Sequence, residues 1–106
     1  MGEMNPKDLL IRIKPSKILL LLREEREWYI SELARESGVT YAYTDKVVDV
    51  LERCNLVRKT RAGRKVSVQL TSEGVQIANL LEELTTRLEQ VKMKPEEQID
   101  ESMEKG

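Results

Sequence analysis

The sequence of 106 residues predicts a single, mainly α-helical domain that carries one small β-hairpin, an α+β fold. Three observations support this fold class. Apolar residues recur at helical spacing along most of the chain, two β-prone runs flank a basic segment near its middle, and leucines recur at heptad spacing towards its end. Because Phe is absent and aromatic residues make up 4% of the chain, we expect Leu, Ile and Val to fill the core.

The N-terminal segment 1–15 is expected to form either a short helix or an extended arm. Asn5-Pro6 is typical of a helix start, and three apolar residues follow at helical spacing. Lys14-Pro15-Ser16 then interrupts this pattern, so we place the start of the main domain at residue 16.

The main domain, 16–72, is predicted to begin with a helix over 17–27, followed by a short β-prone run at 28–30. Ser31 is expected to cap a second helix over 32–37, because a serine hydroxyl can accept a hydrogen bond from the free amides at a helix start. Gly38 permits the tight turn that follows.

A third helix is predicted to run from its cap at Thr40 to about Cys54. Its core-facing residues have the spacing i, i+3, i+4, i+7 and are Thr44, Val47, Val48 and Leu51. Asn55 follows, at a position where helices commonly end in a left-handed residue. Cys54, the single cysteine, is interpreted as a semi-buried packing residue, because a redox sensor needs an activated thiolate.

The hairpin that follows carries a concentration of positive charge. Its strands are predicted over 56–60 and 66–70, and its turn at Arg61-Ala62-Gly63-Arg64. The segment 53–72 holds six bases and no acid, whereas the rest of the chain is acidic. The formal net charge of −1 therefore hides a polarised molecule, and the hairpin favours contact with a polyanion such as nucleic acid.

A long C-terminal helix is predicted over 73–93. Five apolar residues spaced by 4, 3, 4 and 3 positions form a heptad seam: Ile77, Leu81, Leu84, Leu88 and Val91. We expect Ile77 and Leu80 to pack on the main domain. The later seam residues would be exposed in a monomer, so we predict a homodimer in which these helices pair, in parallel or antiparallel orientation. Residues 94–106 are acidic and poor in apolar residues, which predicts a disordered tail.

The composition argues against an enzyme and against a metal centre. The chain has no His and one Cys, and it lacks a glycine-rich phosphate loop, so we predict no catalytic residues, no metal site and no cofactor. No apolar run approaches the roughly 20 residues that span a membrane, and the N-terminus lacks the features of a signal peptide. We therefore expect a cytoplasmic protein without a membrane partner.

Several short motifs occur in an order that is typical of one family. They are Ile30-Ser31-Glu32-Leu33-Ala34, Gly38-Val39-Thr40, Val48-x-x-Leu51-Glu52-x-x-Asn55-Leu56-Val57 and, after the basic hairpin, Leu70-Thr71-Ser72-Glu73-Gly74. In this order, the chain from about Ser16 to Leu80 resembles a winged helix-turn-helix domain. The last motif is similar to the MarR-like and related archaeal regulators.

The resemblance implies a way of binding double-stranded DNA. The third helix, about 40–54, would be a recognition helix in the major groove, and the hairpin, about 58–66, would be a wing on the backbone or in the minor groove. The DNA-binding positions carried over are Thr40, Tyr41, Tyr43 and Lys46 in the helix, and Arg58, Arg61, Arg64 and Lys65 in the wing. Asp45 and Asp49 lie on the same helix and would repel phosphate if they faced it, or pair with Lys46.

The sequence therefore predicts a dimeric, DNA-binding transcriptional regulator, with any small-molecule effector unknown. Two alternatives stay open. One is a DNA-architectural protein of the chromatin type, which the acidic overall charge disfavours. The other is a winged-helix protein-interaction module that does not bind DNA, because fold alone does not determine function.

Overall fold

The computed structural model describes residues 12–24 and 26–91. Along these residues it has four helices and three strands, an α+β architecture as predicted. They are α1 (Ile13–Leu21), β1 (Trp28–Tyr29), α2 (Ile30–Ser37), α3 (Tyr41–Arg53), β2 (Val57–Ala62), β3 (Lys65–Leu70) and α4 (Ser72–Glu89). The predictions for the N-terminal arm before residue 12 and for the acidic tail lie outside the described residues.

Helix α1 begins and ends earlier than the predicted range of 17–27. Pro15 lies inside its first turn, where the missing N–H costs nothing because the first amides of a helix have no partner within it. The helix ends at Leu21, and the following charged turn is held by Trp28, whose indole Nε1 donates to the backbone oxygen of Glu24 at 3.3 Å. Ile18 and Leu19 of this helix are fully buried in the core.

Helix α2 starts at Ile30, and the predicted cap at Ser31 is wrong. The residue before the helix is Tyr29, whose backbone N–H donates to Oε1 of Glu32 at 3.0 Å. This bond is one half of a capping box, in which the carboxylate of the third helical residue accepts a hydrogen bond from the backbone N–H of the residue before the helix. The earlier start buries Ile30 in the core. Gly38 ends the helix with φ of 74°, as the predicted turn requires.

Helix α3 matches the prediction at both ends. Oγ1 of Thr40 accepts a hydrogen bond from the backbone N–H of Tyr43 at 3.1 Å, which makes Thr40 the cap. The four core-facing residues are fully buried: Thr44, Val47, Val48 and Leu51. Asn55 follows with φ of 64°, the expected left-handed conformation.

The three strands form an antiparallel sheet in the order β1-β3-β2. The predicted four-residue turn is shorter in the structure, because Ala62 pairs with Lys65 and leaves only Gly63 and Arg64 between the strands. Gly63 has φ of 64°, which suits such a two-residue turn. Each strand of the hairpin therefore extends further towards the tip than predicted, and Arg61 lies in β2, opposite Val66. We call β2, this turn and β3 the wing.

The start of α4 is fixed to the end of α3. Oγ1 of Thr71 donates to the backbone oxygen of Asn55 at 2.7 Å, and the Thr71 N–H donates to the backbone oxygen of Leu56 at 3.0 Å. Nδ2 of Asn55 donates in return to Oε1 of Glu73 at 3.1 Å. A Cβ atom on Gly74 would lie 1.9 Å from the Leu56 oxygen, so the two segments approach each other too closely for any side chain there.

Helix α4 presents one face to the core and leaves a second face uncovered. Ala78 is fully buried, and Ile77 and Leu81 pack against the core from the side. The expectation that Leu80 packs on the domain is wrong, since 62% of its surface is exposed. The helix ends at Glu89, so Val91 lies beyond it and not on the predicted helical seam.

The core lies between the helices and the inner face of the sheet. The buried hydrophobic residues are Ile18, Leu19, Leu22, Trp28, Ile30, Leu33, Val47, Val48, Val50, Leu51, Leu56, Val57, Val68 and Ala78. Trp28 is 3% exposed, and the Arg26 guanidinium lies 3.5 Å from its ring centre. No helix in the described part of the chain is long and apolar enough to cross a membrane.

Candidate nucleic-acid interface

The exposed start of α3 carries two of the predicted helix contacts. Tyr41 is 53% exposed and Lys46 is exposed, and Lys46 forms no ion pair with any described residue. The predicted alternative, a pair between Lys46 and Asp45 or Asp49, is therefore not formed. Thr40 is exposed, but its hydroxyl oxygen already serves the cap.

Tyr43 differs from Tyr41, although the sequence suggested two equivalent exposed tyrosines. Tyr43 is half-buried and packs against the hydrophobic core. Two residues separate their side chains by about 200° around a helix, so they cannot share one face. Tyr41 is therefore the better placed of the two for contact with a ligand in front of α3.

Asp49, which we expected to oppose phosphate, is compensated by positive charge. Its Oδ1 lies 3.6 Å from Nζ of Lys59 in β2, and its Oδ2 lies 4.0 Å from Nε of Arg53 on the same helix. Lys59 also lies 3.6 Å from Oε1 of Glu52. Two of the six basic residues of the segment 53–72 are thus used within the protein.

The other four bases of this segment are free of ion pairs within 12–24 and 26–91, and all are exposed: Arg58, Arg61, Arg64 and Lys65. They are the four wing residues that the sequence singled out. Nζ of Lys65 lies 5.0 Å from the ring centre of Tyr29, an interaction that leaves its charge available. The wing therefore presents four cations that no described carboxylate neutralises.

Strand geometry distributes these four cations over both faces of the wing. Side chains alternate along a strand, and paired residues share a face. Arg58 and Lys65 lie on the outer face, with Tyr29, whereas Arg61 shares the inner face with Lys59 and projects beyond the core. Arg64 occupies the turn. Three of these cations, Arg61, Arg64 and Lys65, therefore lie at or near the tip of the wing, and Arg58 lies near its base.

Two shifted pKa values occur where β1 joins α2. The hydrogen bond from the Tyr29 backbone N–H lowers the pKa of Glu32 below its usual 4.5, and the nearby guanidinium of Arg26, 3.3 Å away, acts in the same direction. The negative charge of Glu27 raises the pKa of the Tyr29 hydroxyl, which donates to Oε1 of that residue at 3.3 Å. The Glu32 shift favours the ionised carboxylate in the folded protein, whereas the Tyr29 shift favours the neutral hydroxyl.

Two clefts open on the side of the domain away from the tip of the wing. The first, of about 460 Å³, lies between the end of α1, the end of β3 and the first turns of α4. Its arginines are already occupied, because Arg23 binds Asn79 and Glu82, and Arg26 binds Glu32 and covers Trp28. The second, of about 430 Å³, lies between α1 and α2. Among the described residues, no group of three His, Cys, Asp or Glu side chains is arranged to hold a metal ion.

Comparison with known proteins finds similarity in structure only. No protein-family model matches the chain, and no curated protein sequence does. The structure of AF1382 from Archaeoglobus fulgidus superposes with a TM-score of 0.70 at 21% identity, covering 74% of this chain and 90% of that one.

Two further solved structures carry functional names. The MarR family transcriptional regulator SPO1453 from Silicibacter pomeroyi has a TM-score of 0.66 at 26% identity, covering 74% of this chain and 57% of that one. FabT from Streptococcus pneumoniae, solved in complex with DNA, has a TM-score of 0.65 at 23% identity, covering 80% and 64%. The chain spans roughly three-fifths of the length of these two.

The fold and the basic wing define the class: this is a winged helix-turn-helix protein. Its architecture is MarR-like, as the resemblance in the sequence implied. Structural relatives with a named function are transcriptional regulators rather than enzymes, in agreement with the prediction that the chain is not an enzyme.

Sequence reasoning missed the roles of three residues. Lys59 was left out of the predicted DNA contacts but was given no other role, although its place one strand position from Arg58 puts it on the opposite face. Glu32 was not recognised as a cap, although its position three residues after Tyr29 is the signal of a capping box. Gly74 was quoted only as part of a motif, and its close approach to Leu56 depends on tertiary structure that spacing does not reveal.

Proposed function

We propose that this protein is a dimeric transcriptional regulator that binds double-stranded DNA, with α3 in the major groove and the wing on the backbone or in the minor groove. The observation that carries the proposal is the set of four exposed wing cations, Arg58, Arg61, Arg64 and Lys65, which no described carboxylate neutralises. A solvated hairpin needs polar residues, but it does not need uncompensated charge of one sign. Phosphate contacts supply that compensation and release counterions from DNA.

The charge of α3 supports the same interface. Its first turns present Tyr41 and Lys46, while the carboxylates of Asp49 and Glu52 are turned towards Lys59. The charges of these two acids are therefore offset in part within the protein. Tyr41 can exchange hydrogen bonds with bases or phosphates, and Lys46 can bind phosphate. Asp45 stays exposed and would disfavour binding in any register that brings it against the backbone.

The structural relatives support DNA as the partner. FabT has been solved in complex with DNA, and SPO1453 is named as a transcriptional regulator. The match to FabT covers 80% of this chain, which includes most of the described domain. A shared fold does not transfer a target sequence, so the operator is a matter for experiment.

We propose that two copies pair through an apolar stripe that runs along α4 and ends just beyond it: Leu80, Leu84, Leu88 and Val91. Between 54% and 69% of the surface of each is exposed in the single chain. A stripe of this kind on one face of a helix is self-complementary in a two-fold dimer. Such a dimer would present two recognition helices and two wings to a pseudo-palindromic site.

The DNA-binding proposal is tested by titrating labelled duplexes, genomic and random, over a salt series. Replacing Arg61, Arg64 and Lys65 with Ala should raise the dissociation constant by about tenfold or more at low salt. It should also reduce the slope of log K against log salt by about 0.9 for each phosphate that the variant no longer neutralises. The matched control replaces Arg12, Lys14 and Lys17, three exposed bases at the start of α1, and should change both quantities much less.

The outcome also separates the alternatives. A sharp preference for one duplex supports the regulator, whereas tight binding that is indifferent to sequence and steep in salt supports an architectural protein. Equal losses in the wing variant and in the control would mean that general charge, and not the wing, binds DNA. Absence of binding at low salt would refute the proposal and leave the protein-interaction module.

A further inference from the structure

We propose that Lys59 is a positioning residue for DNA binding. It would tie the wing to the recognition helix and offset part of the negative charge of two carboxylates that would otherwise oppose phosphate. This inference rests on the proposed function, because it assigns a role within the same interface.

Lys59 is held between two carboxylates of α3. Its Nζ lies 3.6 Å from Oδ1 of Asp49 and 3.6 Å from Oε1 of Glu52. These acids are three residues apart, so they lie side by side on the helix surface and present a pair of negative charges to one ammonium group. The Lys59 side chain is 25% exposed, compared with 54% and 39% for the two acids, so the lysine is the more enclosed member.

The orientation of Lys59 separates it from the bases that are free to contact DNA. It pairs with Val68 across the sheet, on the face that lies against the core, whereas its neighbour Arg58 pairs with Gln69 on the outer face. Arg58 has no carboxylate partner in the described part of the chain. Of these two adjacent cations, Lys59 forms ion pairs within the protein, and Arg58 is available to a ligand.

Both of the ion pairs that the described residues form between the wing and α3 involve Lys59. Without this lysine, Glu52 would lose its partner and Asp49 would keep only Arg53, at 4.0 Å. These carboxylates would then repel phosphate from the helix that we place in the major groove, since repulsion between exposed charges acts over about 10 Å at ordinary salt. The wing would also lose a restraint on its angle to α3.

A double-mutant cycle tests this role. Lys59→Met removes the charge and keeps the apolar stem, and it is combined with the neutralising pair Asp49→Asn and Glu52→Gln. Duplex dissociation constants are measured for the wild type, each variant and the combination. Arg58→Met serves as the matched comparison, because it makes the same change one residue away on the opposite face.

We expect Lys59→Met to weaken DNA binding by about fivefold, the effect of about 1 kcal/mol that such a pair can contribute. In the background without the two acids, the same change should cost less than about twofold, because its partners are gone. Lys59→Arg should restore binding, since it keeps the charge. Arg58→Met should weaken binding equally in both backgrounds, as a direct phosphate contact would.

Two results would overturn the proposal. An equal loss in both backgrounds would make Lys59 a direct phosphate contact, and an unchanged affinity in Lys59→Met would leave it without a role. A wild-type protein that binds no duplex would refute the proposed function instead.

If the wild type binds no duplex, the restraint that Lys59 places on the wing is tested without DNA, by hydrogen exchange of the wing amides. Exchange in Lys59→Met about fivefold faster than in the wild type and in Arg58→Met would retain the structural role, and equal rates would refute it.

Discussion

Gly74 shows how one residue can fix the relation between two elements. Its backbone lies so close to the Leu56 carbonyl that a Cβ atom would be 1.9 Å from the oxygen. The helix around it would otherwise favour Ala by about 1 kcal/mol. The need for glycine thus arises from packing and not from backbone conformation, because Gly74 lies within α4.

We expect Gly74→Ala to destabilise the protein by about 2 kcal/mol, because the overlap with the Leu56 oxygen forces α4 and the end of α3 apart. Urea unfolding, followed by circular dichroism, measures the change. Gln76→Ala, at an exposed position of the same helix, should stay within about 0.5 kcal/mol of the wild type. A stability of Gly74→Ala equal to that of this control would contradict the close approach.

At the scale of elements, the junction of β1 and α2 depends on the ionised form of Glu32. The carboxylate accepts the Tyr29 N–H and faces Arg26, which is why its pKa is lowered in the folded protein. The ionised form is therefore favoured by folding. The resulting stabilisation is fully present above the usual pKa of 4.5 and is lost as the pH falls through the lower, folded value.

Glu32→Gln should therefore lower the free energy of unfolding at pH 7, and the difference from the wild type should shrink as the pH falls below 4.5. The glutamine can still accept the Tyr29 N–H, so the variant isolates the effect of charge. Urea unfolding at pH 7 and pH 3 makes the comparison. A difference independent of pH, or one as large for Glu36→Gln on the exposed face of α2, would argue against this account.

The sequence predicted elements well where their signals are local. Thr40 caps α3 and Asn55 ends it because side-chain hydrogen bonding and left-handed backbone belong to single residues. The sequence-based bounds of α1 and α2 were wrong, because contacts with residues outside each helix decide where these helices begin and end. Pro15 reads as a helix breaker but lies in a first turn, and the start of α2 follows from burial of Ile30.

The candidate site was predicted in part, for a similar reason. The sequence identified the four wing bases that the structure leaves without described ion-pair partners. It could not tell that Lys59 and Asp49 meet, because this contact joins a strand to a helix. It also treated Tyr41 and Tyr43 as equivalent, whereas the structure exposes the first and packs the second against the core.

At the scale of the whole molecule, two surfaces differ in chemistry. The wing is positively charged, whereas the uncovered face of α4 is apolar. The wing carries four exposed cations without described carboxylate partners, and the apolar stripe at Leu80, Leu84, Leu88 and Val91 is exposed. The core-packing positions Ile77 and Leu81, which the heptad spacing assigned to the dimer interface, are half-buried within one chain. Pairing along α4 would therefore use Leu80 together with the later seam residues Leu84, Leu88 and Val91.

Replacing Leu84 and Leu88 with Glu should convert dimers into monomers, because four carboxylates would meet in the apolar contact. Analytical ultracentrifugation over a concentration series measures the association. The control replaces Ser72, the first residue of α4, and Gln90, directly after the helix, with Glu; both are exposed, lie off the stripe by helical spacing and add the same charge. If both variants stay dimeric, the stripe is not the interface, and if both dissociate, charge alone is responsible.

The hydrogen bonds that join Thr71 to Asn55 and Leu56 have a mechanical consequence. The residues that end α3 also hold the first turn of α4, and Arg23 contacts α4 again about two to three turns after its start, at Asn79 and Glu82. Because these two sets of contacts hold α4 to the domain, the helix cannot rotate independently of it. In a dimer paired along α4, a change in the crossing angle of the two α4 helices would rotate each domain as a rigid body. This rotation would change the distance between the two α3 helices.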